Sequence, residues 1–180
     1  MVTFGRKLPI GIETFEKSRS EGYLYVDKTE QVWQLASSSV PNFLSRPRRF
    51  GKSLLISTFE AYFEGKKELF EGLAIEKLED KWEKHPILHL DLNAEKYDTI
   101  ESLNAILSNQ LTQWETVYGK GEDETTLASR FRGIIQRAFE KTGKGVVVLV
   151  DEYDKPLLQS LHKKELLEAC LLYTSPSPRD

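Results

Sequence analysis

Two short segments of this chain carry residue types and spacings suited to phosphate chemistry: Gly51-Lys52-Ser53 and Asp151-Glu152. The first follows the apolar run Asn42-Phe43-Leu44 and opens a stretch with the spacing of an amphipathic helix. That order, strand then tight loop then helix, is the layout of a P-loop, in which backbone N–H groups and a helix N-terminus hold phosphate oxygens. The second ends five aliphatic residues, Val146 to Val150, which read as a buried strand delivering two carboxylates to its C-terminal end. Together they imply a nucleoside triphosphate bound with Mg²⁺.

The expected roles follow from the charges. Gly51 lets the backbone approach a β-phosphate where a Cβ would collide. Lys52 reaches the β- and γ-phosphates, and the Ser53 hydroxyl ligates Mg²⁺. Asp151 holds that ion through water, because Mg²⁺ keeps several of its own waters. Glu152 is the expected general base, polarising a water for attack on the γ-phosphate. In this reading Lys52 and Glu152 are catalytic, and Ser53 and Asp151 serve the metal.

The loop departs from G-x-x-x-x-G-K-[ST] at one position. Its first glycine is replaced by Arg46, and Pro47 fixes φ where a glycine would give freedom. Arg46, Arg48 and Arg49 bring three guanidiniums to the loop, one of them expected to contact phosphate in bidentate fashion, with Arg48 and Arg49 as the cofactor-binding candidates. Each segment also has a plain structural reading: Gly-Lys-Ser is a common tripeptide, and an aliphatic run before Asp-Glu can be an ordinary core strand. Their co-occurrence in the right local contexts favours the phosphate site. His89 and Asp91 share a face of a second strand, and that pair reads as structural. Trp33, Trp82 and Trp114 read as core, while Tyr23, Asp27 and Lys28 are candidates to line the base side of a nucleotide.

The elements that must position these residues are legible from periodicity. A short helix ends near Gly22, and Tyr23-Leu-Tyr-Val26 alternates as a strand would. Asp27-x-x-Glu30 has the form of a capping box before a helix bearing Val32, Trp33 and Leu35. Leu55, Phe59, Tyr62 and Phe63 recur at helical spacing up to Gly65, a C-cap. Ile87 to Leu92 forms another strand. Asp98-x-x-Glu101 caps a long helix with Ile100, Leu103, Leu107, Leu111 and Trp114 on one stripe. A further helix with Leu127, Phe131, Ile134, Ile135 and Ala138 ends at Gly143. Alternating strands and helices predict an α/β fold, a P-loop three-layer sandwich on a parallel sheet.

The chain has 180 residues, 39% of them hydrophobic, enough to build a core. A net charge of −3 gives no global basic field for nucleic acid. Neither an 18-residue apolar span nor a leader is visible, which predicts a cytoplasmic protein with no membrane partner. Cys170 stands alone and excludes internal disulfides and thiolate metal clusters. Residues 170–180, ending Ser-Pro-Ser-Pro-Arg-Asp, break the preceding pattern and resemble the translation of a sequencing-library adapter. The expected organisation is an N-terminal extension over 1–41, an incomplete ATPase core over 42–169 and a non-native tail over 170–180. A C-terminally truncated core of this kind lacks the strand between the phosphate-loop strand and the Asp-Glu strand. It is expected to turn over ATP poorly.

The string from Leu8 to Leu158 resembles the AAA-ATPase-like family of bacterial proteins. Its carriers are Leu8-Pro-Ile-Gly11, Tyr25-Val-Asp-Lys-Thr29, Arg46-Pro-Arg-Arg-Phe-Gly-Lys-Ser53, Tyr62-Phe-Glu-Gly65 and Asp151-Glu-Tyr-Asp-Lys-Pro156. The resemblance implies ATP binding on Gly51, Lys52 and Ser53, with Mg²⁺ and hydrolysis roles for Asp151 and Glu152. Arg46 at the glycine position is then a family habit. Members often carry a C-terminal nuclease-like domain, which would bring DNA as a partner, and many related ATPases form homo-oligomers. The function expected is an ATPase that drives an attached effector. The alternatives are a nucleotide-sensing module without turnover and a P-loop small-molecule kinase.

Overall fold

The computed structural model describes residues 7–38, 40–44, 50–93, 99–153 and 155. The chain forms two compact units, residues 1–84 and 85–180.

The first unit is helical. It contains α1 (Phe15–Ser20), α2 (Thr29–Ala36) and α3 (Lys52–Phe63), followed by 3₁₀ turns at Lys67–Phe70 and Ala74–Lys77. Phe15, Val32, Phe70 and Ile75 are fully buried at its centre. The Phe15 and Phe70 ring centroids lie 4.7 Å apart, and Tyr25 meets Phe15 edge-on at 5.0 Å, within the range of favourable aromatic pairs. Trp33 and Trp82 pack on this cluster, as their sequence context suggested.

Asp27 closes the unit in a way the sequence did not show. Its Oδ1 accepts from the Thr29 N–H (2.9 Å) and hydroxyl (2.7 Å), while Oδ2 accepts from the Ala74 N–H at 2.7 Å. The Thr29 hydroxyl in turn accepts from the Ile75 N–H at 3.1 Å. The expected Asp27–Glu30 capping box is therefore an aspartate turn that ties α2 to the second 3₁₀ turn, and Lys28 is the N-cap. Burial pushes the Asp27 carboxyl up, but the hydrogen bonds from Thr29 and Ala74 outweigh it and hold the group below its usual range. Tyr23–Val26 forms no strand; Tyr23 makes one isolated bridge to Lys7. Gly65 follows α3 with φ 70°, and a Cβ there would stand 2.9 Å from the Trp82 carbonyl oxygen, so both conformation and space require glycine.

The second unit is α/β. Strands β1 (Ile87–Asp91) and β2 (Val147–Asp151) pair in parallel, in register from Ile87–Val147 to Asp91–Asp151. A parallel pair needs a long crossover, supplied here by α4 (Ile100–Tyr118) and α5 (Leu127–Thr142). Leu88 packs with Leu111 and Ile134, and Leu92 with Leu103. Both helices begin with reciprocal capping boxes, Thr99–Ser102 and Thr126–Ser129, and α5 ends at left-handed Gly143. The cap of α4 is therefore Thr99, one residue beyond the Asp98 expected, and Asp98 itself lies outside the described residues.

A buried arginine joins the two helices. Arg130, 8% exposed, donates to both carboxylate oxygens of Glu115 (2.7 and 2.9 Å), to the Ser108 hydroxyl (2.7 Å) and to the Thr112 hydroxyl (2.9 Å). At the C-terminal end of α4 Arg137 makes a second pair, with Glu124 of the connection between the helices, Nη2 to Oε2 at 2.9 Å. A methyl group at Gly133 would collide with that pair, which explains a glycine in mid-helix.

The small parallel sheet agrees with the α/β expectation. Two features differ from it. Residues 41–44 form no strand, and Phe43 is 55% exposed. A strand exists only as one side of a ladder, and among the described residues β1 and β2 pair only with each other. For the same reason β2 is not buried on both faces: Val148 and Val150 remain 42% and 37% exposed.

Candidate phosphate and carboxylate sites

The structure holds the candidate residues in two places, one in each unit. In the first unit Gly51 is the N-cap of α3 at φ 74°, ψ 32°, and Lys52 and Ser53 are the first two helical residues. Left-handed backbone is nearly free for glycine and costly for other residues. Among the described residues nothing lies within 4 Å of where a Cβ at Gly51 would stand. Glycine offers no side chain to cap the helix, and the first turn holds no acidic residue. The first N–H groups of a 12-residue helix, with the positive end of its dipole, thus meet the loop without a side-chain cap. This geometry suits an anion. Arg46, Pro47, Arg48 and Arg49 lie outside the described residues.

In the second unit the carboxylates gather at the C-terminal ends of β1 and β2, the edge at which open α/β sheets take their ligands. Asp151 is buried to 8% exposure, and its Oδ1 accepts from the Glu152 N–H at 2.8 Å. Asp91 stands beside it in register and accepts from the Asn93 N–H at 2.8 Å. Glu152 itself adopts φ 53°, one of two non-glycine residues with positive φ among those described. Lys155 completes the cluster, donating from Nζ to the carbonyl and side-chain oxygens of Asn93.

These donors are hard oxygens, the type that Mg²⁺ prefers. Among the described residues no three His, Cys, Asp or Glu side chains form a closed metal cage. The buried Asp151 carboxylate, with Asp91 beside it in register, is of the kind that fits Mg²⁺, which takes one or two carboxylates together with phosphate oxygens and water. Asp27, a candidate for the base side, has both carboxylate oxygens engaged within its own unit. His85 hydrogen-bonds the Gly145 carbonyl at 2.9 Å, and Trp114 packs against Phe131 at 6.0 Å; neither belongs to the carboxylate cluster.

Residues 9–173 match the family described as predicted AAA-ATPase. The chain belongs to the AAA-ATPase-like family. It is 40% identical over 165 residues to a protein of Azotobacter chroococcum mcd 1, an uncharacterized protein in the vnfD 5′ region. That alignment covers 89% of this chain and 31% of the relative, so the chain spans about a third of the relative's length. No solved structure matches. For an AAA-ATPase-like protein, ATP binding is the coarse property that membership carries.

Sequence reasoning singled out Gly51, Lys52, Ser53, Asp151 and Glu152, and the structure puts each at the expected local feature, a helix start or a strand end. It missed Asn93 and Lys155 as partners of the carboxylate end. Lys155 was visible only as the fifth residue of Asp-Glu-Tyr-Asp-Lys, and Asn93 only as a polar residue two positions after a strand aspartate. No described helix is long and apolar enough to cross a membrane.

Proposed function

We propose that this chain is the nucleotide-binding part of an ATPase that hydrolyses Mg·ATP to drive an attached effector. The observation that carries the reading is the left-handed Gly51 turn, which opens α3 with Lys52 and Ser53 in its first turn. Family membership supports ATP as the nucleotide, and the length of the Azotobacter relative supports a larger protein in which an effector resides.

In this reading α3 and Lys52 bind and orient the phosphates, with Arg48 and Arg49 adding charge. Bound Mg²⁺ would supply charge neutralisation on the transferring phosphoryl group. Ser53 and Asp151 would hold it. The Glu152 carboxylate takes a proton from the attacking water, which a positioned carboxylate does efficiently only when its geometry is fixed. A P-loop three-layer sandwich is the architecture proposed for the complete core, with DNA action and homo-oligomer formation as properties of the larger protein.

The test is binding followed by turnover. Lys52→Ala should weaken ATP binding roughly tenfold or more, the loss of a charge-assisted phosphate contact. In the full-length protein Glu152→Gln should bind ATP normally and lose turnover by about a hundredfold or more. Wild-type affinity in Lys52→Ala would overturn the phosphate site. Unchanged turnover in Glu152→Gln would remove the base and leave a nucleotide-sensing module as the better reading.

A further inference from the structure

The turn after β2 is held by a side chain that reaches across to the segment after β1. Lys155 Nζ donates to the backbone carbonyl of Asn93 and to its Oδ1, the latter at 2.9 Å. Asn93 donates its own N–H to Asp91 at 2.8 Å, and the Leu92 N–H donates to the Asp151 carbonyl at 3.1 Å, so the anchor for Lys155 is continuous with the ladder. On the β2 side, the Lys155 N–H donates to the Glu152 carbonyl at 2.9 Å and the Glu152 N–H to Asp151 Oδ1 at 2.8 Å. Glu152 lies between these ties with φ 53°. A glutamate in left-handed backbone persists only where its surroundings over-determine it. The bonds within residues 151–155 are local and would move with the turn. The Lys155 ammonium, by contrast, reaches across from that turn to the neighbouring strand's exit. Lysine suits the task, since its long stem spans the gap and its head carries three donors, two of them used here.

We propose that Lys155 is a positioning residue for Glu152: its clamp on Asn93 holds the left-handed turn and so fixes where the Glu152 carboxylate is presented. The proposal rests on the reading of Glu152 as the base, and its first test does not involve nucleotide. Amide hydrogen exchange of the nucleotide-free chain compares wild type, Lys155→Met and Lys155→Arg. In Lys155→Met the Glu152 and Lys155 amides should exchange roughly tenfold faster, with α4 and α5 unchanged; Lys155→Arg, which keeps N–H donors, should stay within about threefold of wild type. If Lys155→Met does not fold, Asn93→Ala, which removes only the side-chain acceptor, should show a smaller acceleration at the same amides. Unchanged exchange at residues 152 and 155 in whichever of these variants folds, or equal exchange in the methionine and arginine variants, overturns the clamp.

Turnover in the full-length protein then separates positioning from a merely structural tie. Lys155→Met should lower kcat by about tenfold to a hundredfold with KM for ATP unchanged, and Lys155→Arg should recover most of it. A loss confined to KM, or a kcat unaffected despite faster exchange, overturns the positioning role. Wild-type protein that binds ATP without hydrolysing it would sink the proposed function, and the exchange data would still decide the clamp.

Discussion

Asp91 and Asp151 face each other at the last rung of the β1–β2 ladder, yet Asp151 is buried and bonded to the next residue's N–H while Asp91 is exposed. Two carboxylates in register repel, and a cation shared at the strand ends would relieve that. The asymmetry predicts unequal mutants. Asp151→Asn should weaken Mg²⁺-dependent ATP binding by about tenfold to a hundredfold, and Asp91→Asn by much less. Magnesium titrations of nucleotide affinity check this, and equal effects would show that the buried carboxylate has no privileged role.

Gly51 should be replaceable on steric grounds and not on conformational ones. A methyl group would meet nothing within 4 Å among the described residues, but φ is 74°. Gly51→Ala is therefore expected to cost about 1–2 kcal/mol, the penalty of left-handed backbone, and Gly51→Asn less. Urea unfolding of the three proteins measures it. Equal stability of glycine and alanine would place position 51 outside the left-handed region.

Glu152 offers the reverse experiment. At φ 53° any side chain with a Cβ is strained, so Glu152→Gly should be more stable than Glu152→Ala by about 1 kcal/mol, although both lose the carboxylate. The outcome that counts against strain is alanine matching glycine in thermal unfolding.

Acid should loosen the packing of α4 on α5. The Arg137 guanidinium and the Gly121 N–H hold the Glu124 carboxyl down at about 2, and Arg130 likewise holds Glu115 below its usual range. A carboxyl depressed in the folded state stabilises it fully above the ordinary glutamate range, near pH 4.5. That contribution is lost as pH falls from there toward 2. The urea midpoint of wild type should fall between pH 5 and pH 3, and an Arg137→Met variant should show a shallower fall. Identical slopes would mean that other carboxylates govern acid unfolding.

Much of this structure was readable from local pattern. The stripe of Leu103, Leu107 and Leu111, the helix end at Gly143 and the aliphatic run before Asp151 follow from short-range periodicity and glycine conformation, and all appear. What was not readable depends on partners distant in sequence. Asp27 looked like a cap because the Ala74 N–H that takes its second oxygen is 47 residues away. Nothing in the local pattern singles out Arg130, because the approach of Glu115 and Ser108 from α4 is what makes it a buried, paired charge. At the site, glycine, lysine and the acidic pair announce themselves by type. Lys155 and Asn93 matter through a contact spanning 62 residues, which no local spacing encodes.

The half-exposed valines of β2 bear on how the chain behaves at high concentration. Val148 and Val150 lie 42% and 37% exposed on a strand that pairs only with β1 among the described residues. Such a strand is a template on which another copy can add its own backbone, with valines supplying adhesion and a charge only at its C-terminal end, Asp151. Self-association by strand addition should then grow with concentration in light scattering and be blunted by Val148→Lys.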